Sequence, residues 1–287
     1  RFTPQSAGAK SGNLTFTGGS LSSPPTVALT GTGQAAANIK TWNVNNGNWN
    51  TAGSWTPSGV PVAGDIVRFN NSNNITVTVN TNPATLSGLQ FLGSGTVTMQ
   101  PGGGNRTINI NNPGSGLNIS SSSTVTLVGA GNNDVTIAFA GSGNYSEISG
   151  NLNLNIASGD FGALNTNNSN TTVTGTLTKN GGTLTSNAAN LVFANGGTYV
   201  HAMNGGAIAT ATWQDGSTCR VTGVTTTVPT VASFAQSFSN FEWDCTSQTS
   251  SVSLIGNLTT IRNNFNMVSS GSAVLQMAIS GAIFTVS

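Results

Sequence analysis

The sequence predicts an all-β chain wound as a parallel β-solenoid (β-helix). Three observations carry this: helical periodicity is nearly absent, short stretches alternate apolar residues with Thr, Asn or Ser, and ionised residues are scarce. The alternation is plain at residues 75–79, 96–99, 107–110, 124–128 and 151–156, and again at 171–177, 190–193 and 274–277. Period two with one apolar face is the mark of a half-buried strand. The stretches restart about every 8–14 residues, as expected of short strands in a sandwich, barrel or solenoid.

Charge decides among these. Only 5% of residues are charged, with eight Lys/Arg against seven Asp/Glu and a net charge of +1. Stacked turns place equivalent side chains about 4.8 Å apart. Two like charges at that distance repel by about 0.9 kcal/mol even at the dielectric of water. Asn and Thr escape this cost, because amides repeat one hydrogen bond from turn to turn and β-branched side chains pack on the pleat. A pair of β-sandwiches with unusually neutral surfaces is the alternative. It carries no such constraint and would ordinarily show more Lys and Glu.

The same composition excludes several classes of function. Nucleic-acid binding needs clustered Lys/Arg to displace counterions, and no polybasic membrane-surface segment exists. No apolar run approaches the roughly 20 residues of a membrane helix. Disorder is excluded too, since 36% of residues are hydrophobic and the net charge is low. No cofactor and no metal is expected. Gly102-Gly-Gly-Asn105 lacks the Lys-Ser/Thr and the helix of a phosphate loop. The first residue is Arg1, and the chain reads as a mature or excised piece of something larger.

Taken in order, residues 1–35 stand apart. Phe2-Thr-Pro, Gly8-Ala-Lys-Ser-Gly-Asn-Leu-Thr-Phe16 and Pro25-Thr-Val-Ala-Leu-Thr-Gly-Thr-Gly33 resemble the closing strands of a hydin-like (ASH-type) immunoglobulin-fold domain. A lone hairpin is marginal in water, so it is expected to serve as terminal strands or as a donor hairpin. Residues 36–287 are expected to form the solenoid, opening with a Trp-rich capping block at 36–70. There Trp42-Asn-Val-Asn-Asn-Gly-Asn-Trp49, Trp55-Thr-Pro-Ser-Gly-Val-Pro61 and Gly64-Asp-Ile-Val-Arg-Phe69 look like the opening of secreted bacterial adhesin repeats. With Ala211-Thr-Trp-Gln-Asp-Gly-Ser-Thr-Cys219 and Gln236-Ser-Phe-Ser-Asn-Phe-Glu-Trp-Asp-Cys245, they resemble large Bacteroidota-type surface proteins of the type IX export route. The resemblance implies an extracellular location and a solenoid architecture, and no reaction.

Four sets of residues are candidate sites. Trp42, Trp49 and Trp55 either cover the open end of the solenoid, which repeat folds need, or form a sugar-stacking platform. Cys219 and Cys245 both read as inward-facing by strand parity and lie 26 positions apart, about one turn. An exported chain would oxidise such a pair, for about 3 kcal/mol; the alternative is two buried thiols on adjacent turns. Glu242 and Asp244 fall outward on one strand, about 7 Å apart, the separation glycosidase carboxylates use. They lack any other titratable neighbour in sequence, and His201 reads as a wall residue. Asp65 reads as a turn residue after Gly64, pairing with Arg68.

The expected function is therefore structural: an extracellular filament subunit, stalk or adhesin segment with no catalytic residues. Its expected partners are other copies of itself or other surface-protein segments, with polysaccharide as the alternative, no nucleic acid and no membrane insertion.

Overall fold

A computed structural model describes residues 8–15, 26–33, 37–114, 116–156 and 163–277. It divides into two units, residues 1–38 and 39–287. In the first, Gly8–Thr15 and Thr26–Gly33 pair antiparallel over eight positions, from Gly8↔Gly33 to Thr15↔Thr26. Leu14, Val27 and Leu29 are exposed on it. The hairpin itself thus follows the pattern of the sequence.

The second unit is a parallel β-solenoid of about nine turns, and its described residues contain no α-helix. Its second wall is a ten-stranded sheet from Asn46–Asn48 to Phe265–Ser269, every neighbouring pair parallel. The first wall holds nine strands, eight of them parallel from Ile39–Trp42 to Thr212–Trp213. A third wall is shorter, with four strands from Arg106–Ile110 to Leu184–Thr185. Over the last two tiers, Ser237–Phe238 pairs with Thr260–Ile261 and Val252–Ser253 with Leu275–Gln276. Nine steps of about 4.8 Å make the second wall about 43 Å long.

Alternation builds the interior. In Ile75–Val79 each apolar residue is buried and each Thr half-buried, and in Thr124–Val128 the inward Val125 and Leu127 are buried while Thr124, Thr126 and Val128 are half-buried. Inward residues stack into columns, such as Val97, Val125, Leu152 and Leu177 of the second wall. In the first wall the column is Phe69, Phe91, Ile119, Ile148, Val173, Phe193 and Trp213. Where aromatics succeed each other they lie parallel: Phe69 on Phe91 at 5.1 Å and Phe193 on Trp213 at 4.5 Å, both 9° from coplanar.

The corner between the first two walls shows how closely tiers approach. A Cβ on Gly175 would lie 2.1 Å from the Gly150 carbonyl oxygen, and one on Gly150 would lie 2.2 Å from that of Ser120. Only glycine lets these backbones stack.

At the first tier Trp42, Trp49 and Trp55 are buried, at 2%, 0% and 1% exposure. Trp55 meets Trp42 edge-on at 4.9 Å and Trp49 at 5.0 Å, and its indole N–H donates to the Trp49 carbonyl at 2.8 Å. Strand Trp55–Thr56 runs antiparallel along the outer edge of Ile39–Trp42, so the first wall begins with a short, two-residue edge strand. The sugar-stacking reading of these tryptophans is corrected here, because no ring face is open to a ligand. Truncating one empties the end of the core: Trp49→Ala is expected to cost about 3–5 kcal/mol in urea unfolding, and a variant as stable as the parent would show that the ring carries no packing.

Candidate functional site

The outer face of the second wall is the most regular surface among the described residues. Two ranks of outward residues run along it. Thr96, Thr124, Asn151, Thr176, Thr198 and Thr218 are successive partners in one, and Thr76, Thr98, Thr126, Asn153 and Thr178 in the other. Ladder bonds join tiers: the Asn151 amide donates to the Thr124 hydroxyl at 3.3 Å and Asn153 to Thr126 at 3.4 Å. Gln100 donates to Thr78 at 3.1 Å and Asn180 to Asn155 at 3.0 Å. A shallow trough of about 370 Å³ overlaps the second rank, lined by its Thr126, Asn153 and Thr178 and by Asn155, Asn180 and Ala202. Every lining group is neutral, so the trough can offer hydroxyl and amide hydrogen bonds and no charge.

Ionised groups enter this face only near its C-terminal end. Arg220 lies directly over Glu242 in the register. Its guanidinium is 2.6 Å from a carboxylate oxygen of Glu242 and 2.6 Å from one of Asp244. Asn266 adds a hydrogen bond to Glu242 at 3.0 Å. Both carboxylates face outward, as parity predicts, but one cation clamps both. They form an ion-paired ladder, not an isolated pair flanking an open site. Sequence spacing hid this, because Arg220 stands 22 positions before Glu242 and the tier offset differs from turn to turn.

A cleft of about 390 Å³ opens where the first wall breaks after Thr212–Trp213. The side chain of Gln236 fills the break. It accepts from the Ala211 N–H and the Trp213 indole, and donates to the carbonyls of Ala209 and Ser233. Arg262 on the rim donates to the Trp213 carbonyl and pairs with Asp215 at 3.2 Å. These polar groups replace missing ladder bonds.

Polar side chains also enter the interior. Lys179 and His201 are consecutive members of an inward column, both buried. The Lys179 ammonium donates to the Ala207 carbonyl at 3.1 Å, and burial lowers its pKa. His201 is held at both ring nitrogens, by the Tyr199 hydroxyl at 3.1 Å and the Gly205 carbonyl at 2.7 Å. Burial, with Lys179 adding to it, pulls its pKa down to about 4 against the Gly205 bond. A neutral imidazole closed off in this way has no route to a substrate. Strand parity alone would have found both residues, since each follows an inward neighbour by two positions.

The expected disulfide is also corrected. Cys219 and Cys245 are free and buried. The residue above Cys219 is Phe241, and Cys245 lies four residues further along that strand, about 13 Å away. A disulfide needs Cα atoms about 4.4–6.8 Å apart. Burial raises the pKa of Cys219 well above the usual thiol range and that of Cys245 to about 11. Asp65 is a turn residue: its carboxylate accepts from the Val62 N–H at 2.9 Å, while Arg68 donates to Gln90 on the next tier. Among the described residues no three His, Cys, Asp or Glu side chains gather where a metal ion could sit, and no helix is long and apolar enough to cross a membrane.

No family model matches the chain, and neither a curated protein nor a solved structure does.

Two predictions follow the buried groups. The fold favours neutral His201, the chain's single histidine. Above about pH 6.5 it is neutral whether folded or unfolded. As pH falls toward 4 the unfolded chain takes up a proton that the folded chain refuses, so stability drops by up to about 3 kcal/mol. Urea midpoints at pH 7.0 and 5.5 should therefore differ in the parent and agree in His201→Gln; equal slopes in both would refute the linkage. A thiol reagent should find no reactive cysteine in the native protein and two after unfolding without reductant. One native-state reaction, or none after unfolding, would contradict the buried free thiols.

Proposed function

We propose that the chain is a structural segment of an extracellular, surface-associated protein, a stalk that spaces and joins other parts. The observation that supports this best is the ten-stranded second wall, in which neutral side-chain bonds link tiers at Thr78–Gln100, Thr124–Asn151, Thr126–Asn153 and Asn155–Asn180. A continuous core and stacked sheets make each tier a template for the next. Arg220 is spent on Glu242 and Asp244, and His201 on Tyr199 and Gly205.

Association is assigned to the N-terminal hairpin. Among the described residues its two strands pair only with each other, and Leu14, Val27 and Leu29 stand exposed. Strand edges of this kind add strands from a partner. The solenoid's own first wall begins with the two-residue edge strand Trp55–Thr56, which favours joining through the hairpin over stacking at that end.

Negative-stain images of the full chain should show joined rods, and images of a chain lacking residues 1–35 single ones. Equal assembly with and without the hairpin would remove it from the account. A full chain that stays single at every concentration would remove association altogether.

A further inference from the structure

The threonine ranks of the second wall exceed what tier stacking requires. The first wall obeys the same spacing, yet its outward column reads Thr41, Arg68, Gln90, Asn118, Glu147 and Thr172, mixed in size and carrying both signs of charge. Ladder chemistry is thus satisfied by several residue types. The second wall instead repeats Thr-x-Thr, with Thr96 and Thr98, Thr124 and Thr126, and Thr176 and Thr178 on tiers whose registers align.

We propose that this face binds ice. Each Thr-x-Thr pair presents two hydroxyls and two methyls about 6.6 Å apart along the strand; the pairs at Thr96 and Thr124 lie one tier apart, and the pair at Thr176 follows after the Asn151-x-Asn153 tier. Hexagonal ice repeats its oxygen positions on the prism face at a distance close to the tier spacing. A β-branched side chain holds few χ1 rotamers, so the hydroxyls stand in fixed rows before any ligand arrives. Asn151 and Asn153 fasten two of the rows through their bonds to Thr124 and Thr126. Preorganisation of this kind lowers the entropy cost of binding. Methyl groups release first-shell water on contact, while hydroxyls extend the lattice's hydrogen bonds.

Charge agrees with this ligand. Ice rejects ions from its lattice, and the two ranks carry no ionised side chain from Thr76 through Val200; the first is Arg220. An anionic polymer would find nothing to pair with on these tiers. The trough includes Thr126, Asn153 and Thr178 of the second rank together with Asn155 and Asn180, and is the place where a neutral glycan would compete as occupant.

The test uses the full chain. Thermal hysteresis, the gap between melting and growth of a seed crystal, is measured together with partition of the protein into a growing ice surface. The parent should open a gap and concentrate in ice. Thr126→Lys should lose both, with circular dichroism and melting temperature unchanged, while Thr172→Lys on the first wall keeps both. Should Thr126→Lys fail to fold, the triple variant Thr98→Ser, Thr126→Ser, Thr178→Ser removes only methyls and should narrow the gap. A parent with no gap and no partition overturns the proposal, as does equal loss in Thr126→Lys and Thr172→Lys. Saturable binding of a neutral oligosaccharide without effect on ice growth overturns it in favour of the glycan.

Discussion

The spacing between tiers governs this molecule. Parallel strands one turn apart set equivalent side chains about 4.8 Å from each other, so every residue is chosen against its own counterpart. Inside, this rewards columns of like shape, as in the coplanar pairs Phe69–Phe91 and Phe193–Trp213. Outside, it rewards groups that can either donate or accept, so that the Asn180 amide N–H donates to the Asn155 amide oxygen. Where two charges do meet on neighbouring tiers, they are opposite in sign: Arg220 sits above Glu242 and reaches Asp244. Glycine at the corners completes the scheme by letting backbones touch where any Cβ would collide, as at Gly150 and Gly175.

The inward–outward assignment was legible in the sequence because strand parity is local. Phe241, Trp243 and Cys245 face in, while Glu242 and Asp244 face out, as simple alternation requires. The neighbour on the next tier was not legible. Paired positions are separated by 20 residues at Thr198↔Thr218 and by 30 at Asn46↔Thr76. With so variable an offset, no count along the chain reveals that Phe241 covers Cys219, or that Arg220 covers Glu242. The assumed disulfide and the apparently isolated carboxylates failed for this one reason.

The tryptophans teach a different lesson. Aromatic residues near a repeat terminus suit an exposed platform and a buried plug equally well by composition. What separates the two is the return of the chain after Trp49, through the short 3₁₀ turn Ala52–Ser54, to lay Trp55 against Trp42 and Trp49. That reversal is a tertiary event. The Thr-x-Thr segments, by contrast, were visible individually, and only the register turned them into ranks.

The variable offset between tiers has its own consequence. The second wall keeps its register up to one shift between Trp243 and Asp244 while successive turns differ in length, so most of the surplus is absorbed at the bends and in the intermittent third wall. Such a scaffold tolerates foreign loops: a peptide spliced into a bend would be displayed from the shaft without shifting any hydrogen bond in the two long sheets. Diversification by insertion is therefore cheap here, and it would erase the fixed periodicity by which repeat proteins are ordinarily recognised.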